Sequence, residues 1–313
     1  MLKINKPKFW DSKIGLFSII LFPLSLVYIF IIFLRKRFIK TQKFNIPVIC
    51  VGNIYLGGTG KTPASILLAN ELTRIGRKPV ILRKHYAKHQ DEYNLIKNKF
   101  EDLIVNKNRV NGLIEAEKTG FKTVILDDGL QDFKIKKDIK IVCFSRQLIG
   151  NGLVMPSGPL RENLSSLRDA DIVLINGNKN RNFENKLLNI NKRIKIFYSL
   201  YEPINLKQFD NKKLLAIAAI GNPENFFQLI ENNNLIIQKK LIFPDHYMFS
   251  KKEMQKIVDD AKKEGYTIIM TEKDYFKINN YKLENINYLK ISLKIYEMEK
   301  FINTISSFYD KKS

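Results

Sequence analysis

The chain has 313 residues, 45% of them hydrophobic, which excludes a wholly disordered polypeptide and leaves room for one large or two ordinary domains. Lys and Arg total 53 against 31 Asp and Glu, a formal charge of +22, so anionic partners fit best: nucleic acid, acidic lipid headgroups or phosphorylated compounds. Cys50 and Cys143 stand singly in apolar runs, which argues against a zinc cluster or a disulfide framework and suits a reducing compartment.

Lys, Ile and Asn crowd the whole sequence, so part of the charge belongs to composition rather than to a site. No zinc finger, RNA-recognition signature or basic helix run is present, and the basic residues are spread along the chain. Nucleic acid is therefore not the expected partner.

From Leu16 to Leu34, "LFSIILFPLSLVYIFIIFL" runs without a charge. A helix of that length covers ~28 Å, close to the hydrocarbon thickness of a bilayer. Lys3, Lys6, Lys8 and Lys13 precede it and Arg35, Lys36, Arg37 and Lys40 follow, so charge asymmetry sets no orientation. Residues 1–45 read as a membrane anchor, spanning or dipping, with Pro23 permitting a kink.

Residues 46–200 follow an alternating strand and helix pattern, that of a mostly parallel α/β sheet with ligands at the strands' carboxyl ends. "IPVICVG" is a buried strand and "KTPASILLANELTRIG" the helix after it. "KPVILRK" is a second strand, "HYAKHQDEYN" a polar loop, and "KTVILDD" a strand ending on Asp127 and Asp128. "IKIVCF" and "DIVLIN" are further strands, and "RIKIFYSLYEPINL" a linking strand. Residues 201–313 read as a smaller α/β lobe: "LLAIAAIGNPENFFQLIENN", a Ser-capped helix "SKKEMQKIVDDAKKEG", the strand "YTIIMTEKD" and a terminal helix.

Between the first strand and its helix lies "YLGGTGKT". Glycines let backbone N–H groups turn toward phosphate oxygens, Lys61 suits the β- and γ-phosphates, and the Thr62 hydroxyl suits Mg²⁺. Tyr55, Leu56, Gly57, Gly58, Thr59, Gly60, Lys61 and Thr62 are the expected nucleotide-binding residues. Tyr55 stands where the strict P-loop pattern has its first glycine, but the strand–loop–helix context is that of a P-loop fold. Asp127, at the end of a buried strand, is the expected metal partner of Thr62. Asp128 and Gln131 in "LDDGLQD" are expected to orient a loop or meet the substrate. ATP is favoured over GTP, since the nearest string to a guanine-reading motif, Thr271 to Asp274, has Glu and Lys in the wrong order. On these features alone, a membrane-bound ATPase switch remains open beside a kinase.

Taken together, "LFPLSLVY", "GNIYLGGTGKTP", "LDDGLQD", "GNGLVMPSGPLRENLSSLRDADIVLING", "AIGNPENFF", "FPDHYMF" and "TEKD" resemble the tetraacyldisaccharide 4′-kinase family of lipid A biosynthesis, in the family's order and over most of the chain. The resemblance implies transfer of the ATP γ-phosphate to the 4′-hydroxyl of an acylated glucosamine disaccharide 1-phosphate, giving lipid IVA. It also implies Mg²⁺ dependence, contact with membrane lipids and a site on the cytoplasmic face of a bacterial inner membrane. By the same resemblance Asp91 in "QDEY" takes the hydroxyl proton, His246 in "FPDHY" supports it, and Glu92 is a further metal-site acid. The chain departs from the family pattern at Arg83-Lys84-His85-Tyr86-Ala87, where a Ser-Arg-Gly-Tyr-Gly segment is usual. It departs again at Gln90 for Gly, Tyr93 for Pro and Asp132 for His.

Overall fold

The computed structural model describes residues 7–86, 90–245 and 247–310. In chain order the elements are α1 (Leu16–Phe38), β1 (Val48–Gly52), α2 (Lys61–Arg74), β2 (Pro79–Lys84), α3 (Gln90–Lys99), β3 (Leu103–Asn106), α4 (Arg109–Lys118), β4 (Thr123–Asp127), β5 (Ile139–Phe144), β6 (Ile172–Asn176), α5 (Arg181–Ile190), β7 (Lys195–Pro203), β8 (Leu214–Ala218), α6 (Pro223–Glu231), β9 (Ile237–Ile242), α7 (Lys251–Lys263), β10 (Thr267–Thr271), α8 (Glu272–Ile278), β11 (Ile286–Leu289), β12 (Ile291–Ile295) and α9 (Met298–Asp310).

Eight strands form one sheet in the order β12-β7-β6-β5-β1-β4-β2-β3, and four form another, β11-β10-β8-β9. From β3 through β7 every pairing in the larger sheet is parallel. The apolar runs at β1, β4 and β5 are buried almost end to end, as expected of strands covered on both faces. One core layer gathers Cys50, Leu82, Leu113 and Leu126, another Ile54, Phe144, Val173 and Leu187.

The topology sets up the site. The chain leaves β1, runs through α2 and enters β2 two positions away, leaving between them a gap that β4 fills. The carboxyl end of β4 therefore lies beside that of β1, with Val51 opposite Asp127. On its other side Asp127 faces Arg83 of β2.

Among the described residues, one compact unit holds those of 7–85, 100–200 and 293–310, and the other those of 86–99 and 201–292. This differs from a linear division at 1–45, 46–200 and 201–313 in three places, the first being that residues 7–45 belong with the larger unit rather than standing apart. The stretch expected as a loop before residue 95 turns helical at Gln90, and α3 belongs with the smaller unit. There Lys99 Nζ meets Glu272 at 2.5 Å, and Lys273 Nζ meets Glu92 at 3.4 Å. The C-terminal helix α9 belongs with the larger unit: Phe301 packs edge-on against Phe197, and the Tyr309 hydroxyl donates to Thr123 Oγ1 at 3.2 Å. Contacts that join residues distant in sequence decide the assignments of α3 and α9, and local pattern does not carry them.

Helix α1 is continuous through Pro23, with mean hydropathy 2.7 over its most apolar stretch. Its two serines, seven residues apart, share the one buried stripe. Ser25 Oγ donates to the Val154 carbonyl at 2.8 Å and bonds Ser157 Oγ at 2.9 Å, while Asn151 Nδ2 donates to Ser18 Oγ at 3.2 Å. Tyr28 and Ile29 pack on Tyr55, Val154 and Leu160. Much of the remaining helix surface, including Phe17, Ile20, Leu24, Val27 and Phe30, is exposed.

Candidate active site

The glycine-rich turn bridges β1 and α2, and its shape comes from two local devices. Gly60 takes φ +85° as the residue that opens α2, and Gly57 takes φ +132°, both in the region that favours glycine. Asn53 braces the turn from below: its Nδ2 donates to the Tyr55 carbonyl at 2.6 Å and to Thr59 Oγ1 at 2.9 Å. Among the described residues no side chain caps the N-terminus of α2, so its first-turn N–H groups and dipole suit an anion.

Lys61 and Thr62 open the helix on that side. Thr62 Oγ1 donates to Asp127 Oδ2 at 3.0 Å, and Ser65 Oγ, one turn further on, donates to Asp127 Oδ1 at 3.2 Å. Asp127 is fully buried. Arg83 Nη1 donates to the same carboxylate and to Thr62 Oγ1, the latter at 3.0 Å. The Thr62 hydroxyl and the Asp127 carboxylate are hard oxygen donors of the kind Mg²⁺ takes alongside phosphate oxygens and water. The donor set fits the ion, with a guanidinium against both donors.

Asp128 turns the opposite way. Its backbone is left-handed, φ +55°, which throws its side chain toward Lys61 Nζ at 3.8 Å and Arg161 Nη1 at 3.1 Å. Burial alone would raise its carboxyl. The charges of Lys61, Arg161, Arg83 and Arg109 outweigh burial and hold it below the usual carboxylate value. Burial pushes the Lys61 ammonium down, with Asp128 opposing. Arg109 Nη2 fixes the β4 turn by donating to the Asp128 carbonyl at 2.8 Å. Gln131 Nε2 donates to the Asn53 carbonyl and to Glu162 Oε1, both at 3.0 Å. Glu162 in turn pairs with Lys36 of α1 at 2.6 Å.

Lys61, Thr62, Asp127, Asp128 and Gln131 are thus brought together. Tyr55 and Leu56 point their bonds elsewhere: the Tyr55 hydroxyl donates to Asp11 Oδ1 at 2.7 Å, and Leu56 N donates to the Pro159 carbonyl at 2.8 Å. Glu92, expected at the metal, belongs to the smaller unit and faces Lys273. Asp91 lies in the first turn of α3, and its side chain falls outside the described residues, as does His246. Arg83, Arg109, Arg161, Ser65 and Glu162 had no assigned role in the sequence. Only Ser65 carried a local signal, one helical turn beyond Thr62.

A parallel sheet with a glycine turn at its centre, a helix beyond it and a buried acid at the end of the neighbouring strand define an α/β protein whose central turn suits phosphate groups. Comparison with known proteins narrows this. A family model described as LpxK, tetraacyldisaccharide-1-P 4′-kinase, matches residues 17–309, and the chain belongs to that family. A tetraacyldisaccharide 4′-kinase of Pelagibacter ubique is 39% identical over 315 residues, covering 99% of this chain and 100% of that protein. One of Rickettsia bellii is 36% identical, covering 90% and 91%. A crystal structure of LpxK from Aquifex aeolicus in complex with ATP superposes with a TM-score of 0.74 at 25% identity, covering 93% of this chain and 99% of that one.

Proposed function

We propose that this chain transfers the γ-phosphate of ATP to the 4′-hydroxyl of tetraacyldisaccharide 1-phosphate, the step that forms lipid IVA. One observation carries the reading: a chain matched nearly end to end by tetraacyldisaccharide 4′-kinases sets Lys61 and Thr62 at the head of α2, with the Thr62 hydroxyl 3.0 Å from Asp127. The 4′-oxygen bonds to the γ-phosphorus, the bond from that phosphorus to the β,γ-bridging oxygen breaks, and ADP leaves. The hydroxyl proton goes to Asp91, which His246 supports. A carboxylate of ordinary pKa, ~4, is a weak base, which suits a loose transition state that loses the proton late.

In that state Lys61 balances charge gathering on the transferring phosphate, and the α2 N-terminus holds the phosphates without reorganising. Mg²⁺, when bound, would neutralise the β- and γ-phosphate oxygens, with Thr62 and Asp127 as its protein donors. Asp128, held ionised by its neighbours, positions Lys61 and Arg161.

The acylated acceptor stays in its bilayer, since each buried CH₂ holds it by ~0.8 kcal/mol, so the kinase acts at the membrane surface. Outside its buried serine stripe α1 presents mostly apolar side chains, which suit contact with the bilayer hydrocarbon. The proposed location is the cytoplasmic face of the inner membrane, where ATP is supplied.

The test is a transfer assay: detergent-solubilised protein, γ-labelled ATP, Mg²⁺ and tetraacyldisaccharide 1-phosphate. Label in a bis-phosphorylated lipid, lost in Lys61→Ala, is the expected result. Label only in free phosphate would overturn the kinase reading and leave the ATPase switch, which a family match along the chain does not favour.

A further inference from the structure

Arg83 stands one strand from Asp127, and the parallel register pairs the two residues directly. Side chains so paired rise from the same face of the sheet. Both are buried, Arg83 at 6% and Asp127 at 0% exposure. Arg83 Nη1 meets Asp127 Oδ2, and at 3.0 Å it meets Thr62 Oγ1 as well. The Thr62 hydroxyl spends its proton on Asp127, so it offers Arg83 a lone pair. One guanidinium nitrogen therefore engages the two oxygens that a divalent ion would need.

We infer that Arg83 is the resident cation of the Thr62–Asp127 pair, and that a divalent ion gains the pair only by displacing it. The inference rests on the nucleotide reading of the same loop. A carboxylate buried without a cation is costly, so the guanidinium stabilises Asp127 while no nucleotide is bound. The same contact raises the cation concentration at which the site loads, because like charges repel strongly away from bulk water. Arg83 is in this sense a positioning residue that sets the metal threshold of the site. Ser65 keeps Asp127 Oδ1 oriented while Oδ2 changes partner.

The experiment measures Mn²⁺ binding by electron paramagnetic resonance, with a non-hydrolysable ATP analogue at saturation, on the detergent-solubilised full chain. Arg83→Met retains most of the stem volume and removes the charge. It should bind Mn²⁺ about tenfold more tightly or better, the scale on which residues around a metal site tune affinity. In chelator the same variant should melt below the wild type, and Mn²⁺ with the analogue should raise its melting temperature by more. Arg83→Lys keeps a charge but on a shorter stem with a more strongly hydrated head, and should fall between the two. If the Met variant does not fold, the Lys variant decides by the same sign. Mn²⁺ affinity unchanged or weakened in a variant, with the wild type binding normally, would overturn this role and make Arg83 a nucleotide contact. No Mn²⁺–analogue binding by any of the chains would overturn the nucleotide reading and this inference with it.

Discussion

The Tyr55 hydroxyl donates a 2.7 Å hydrogen bond to Asp11 Oδ1, tying the glycine-rich turn to the segment that leads into α1. Burial, reinforced by Asp11, pushes the Tyr55 hydroxyl well above its ordinary value, so it remains a donor at any working pH. The ring packs with Val154 and Leu160. Tyr55→Phe keeps that packing and should cost about 1 kcal/mol, the usual net worth of one hydrogen bond. Denaturant unfolding of the solubilised protein reads the loss. Nucleotide affinity should be unchanged, and a clear drop in it would return the hydroxyl to the nucleotide site.

Lys61→Ala removes the one lysine at the start of α2. Groups that stabilise transition-state charge typically contribute ~10²–10³ in kcat, and a fall of that size in lipid labelling is expected. Removing Lys61 also relieves Asp128 of one of its cations, but Arg161 at 3.1 Å remains, so the fold should hold. Circular dichroism distinguishes lost chemistry from lost structure. Turnover near the wild-type level would rule out the assigned role.

The strands of the larger sheet were legible because they are apolar, short and bounded by turns, and their burial on both faces is what such runs predict. Lys61, Thr62 and Asp127 were legible for a related reason: each sits at a strand or helix end that the pattern itself locates. Arg83 was not. It lies inside a strand, where a charged residue reads as an edge or a departure, and only the register with β4 reveals its partner. Arg109 and Arg161 reach Asp128 from segments 19 and 33 residues away in sequence, which no local window joins. The start of α3 was missed because "HYAKHQDEYN" is polar throughout, and the helix is defined by packing against α8 rather than by its own periodicity.

Asp91→Ala should lower kcat by ~10²–10⁴, the range for a positioned acid or base. ATP affinity should hold, because the residues proposed to hold the phosphates lie in the turn between β1 and α2 and at the head of α2. Equilibrium binding of a fluorescent ATP analogue beside the transfer assay checks both halves. A variant that binds ATP poorly would instead make Asp91 a nucleotide-site residue.

Ser25→Val replaces a buried hydroxyl that bonds the Val154 carbonyl and Ser157 Oγ. The swap leaves both partners short of a bond in a closed contact, a loss of about 1–3 kcal/mol. Limited proteolysis should then cut the 147–160 segment faster, because it is the surface that α1 covers. Equal cleavage rates in the two proteins would mean that the Ser25 hydroxyl does not hold α1 in place.

Cys50 and Cys143 are both fully enclosed in the larger sheet. Burial pushes the Cys50 thiol up to about 11 and the Cys143 thiol up to about 12, against an ordinary value of 9.0. Neither should react with a thiol reagent at pH 8 until the protein unfolds, since the thiolate is the reactive form. The sign for stability follows. Above about 9 the unfolded chain ionises both thiols while the folded chain keeps them protonated, so the unfolded state binds fewer protons and gains ground. This contribution is intact below pH 9 and is lost as pH rises toward 11 and 12. Replacing both residues with alanine should flatten the alkaline limb of the stability curve over that range, at some cost in packing at every pH. A limb just as steep in the double variant would assign alkaline unfolding to other groups.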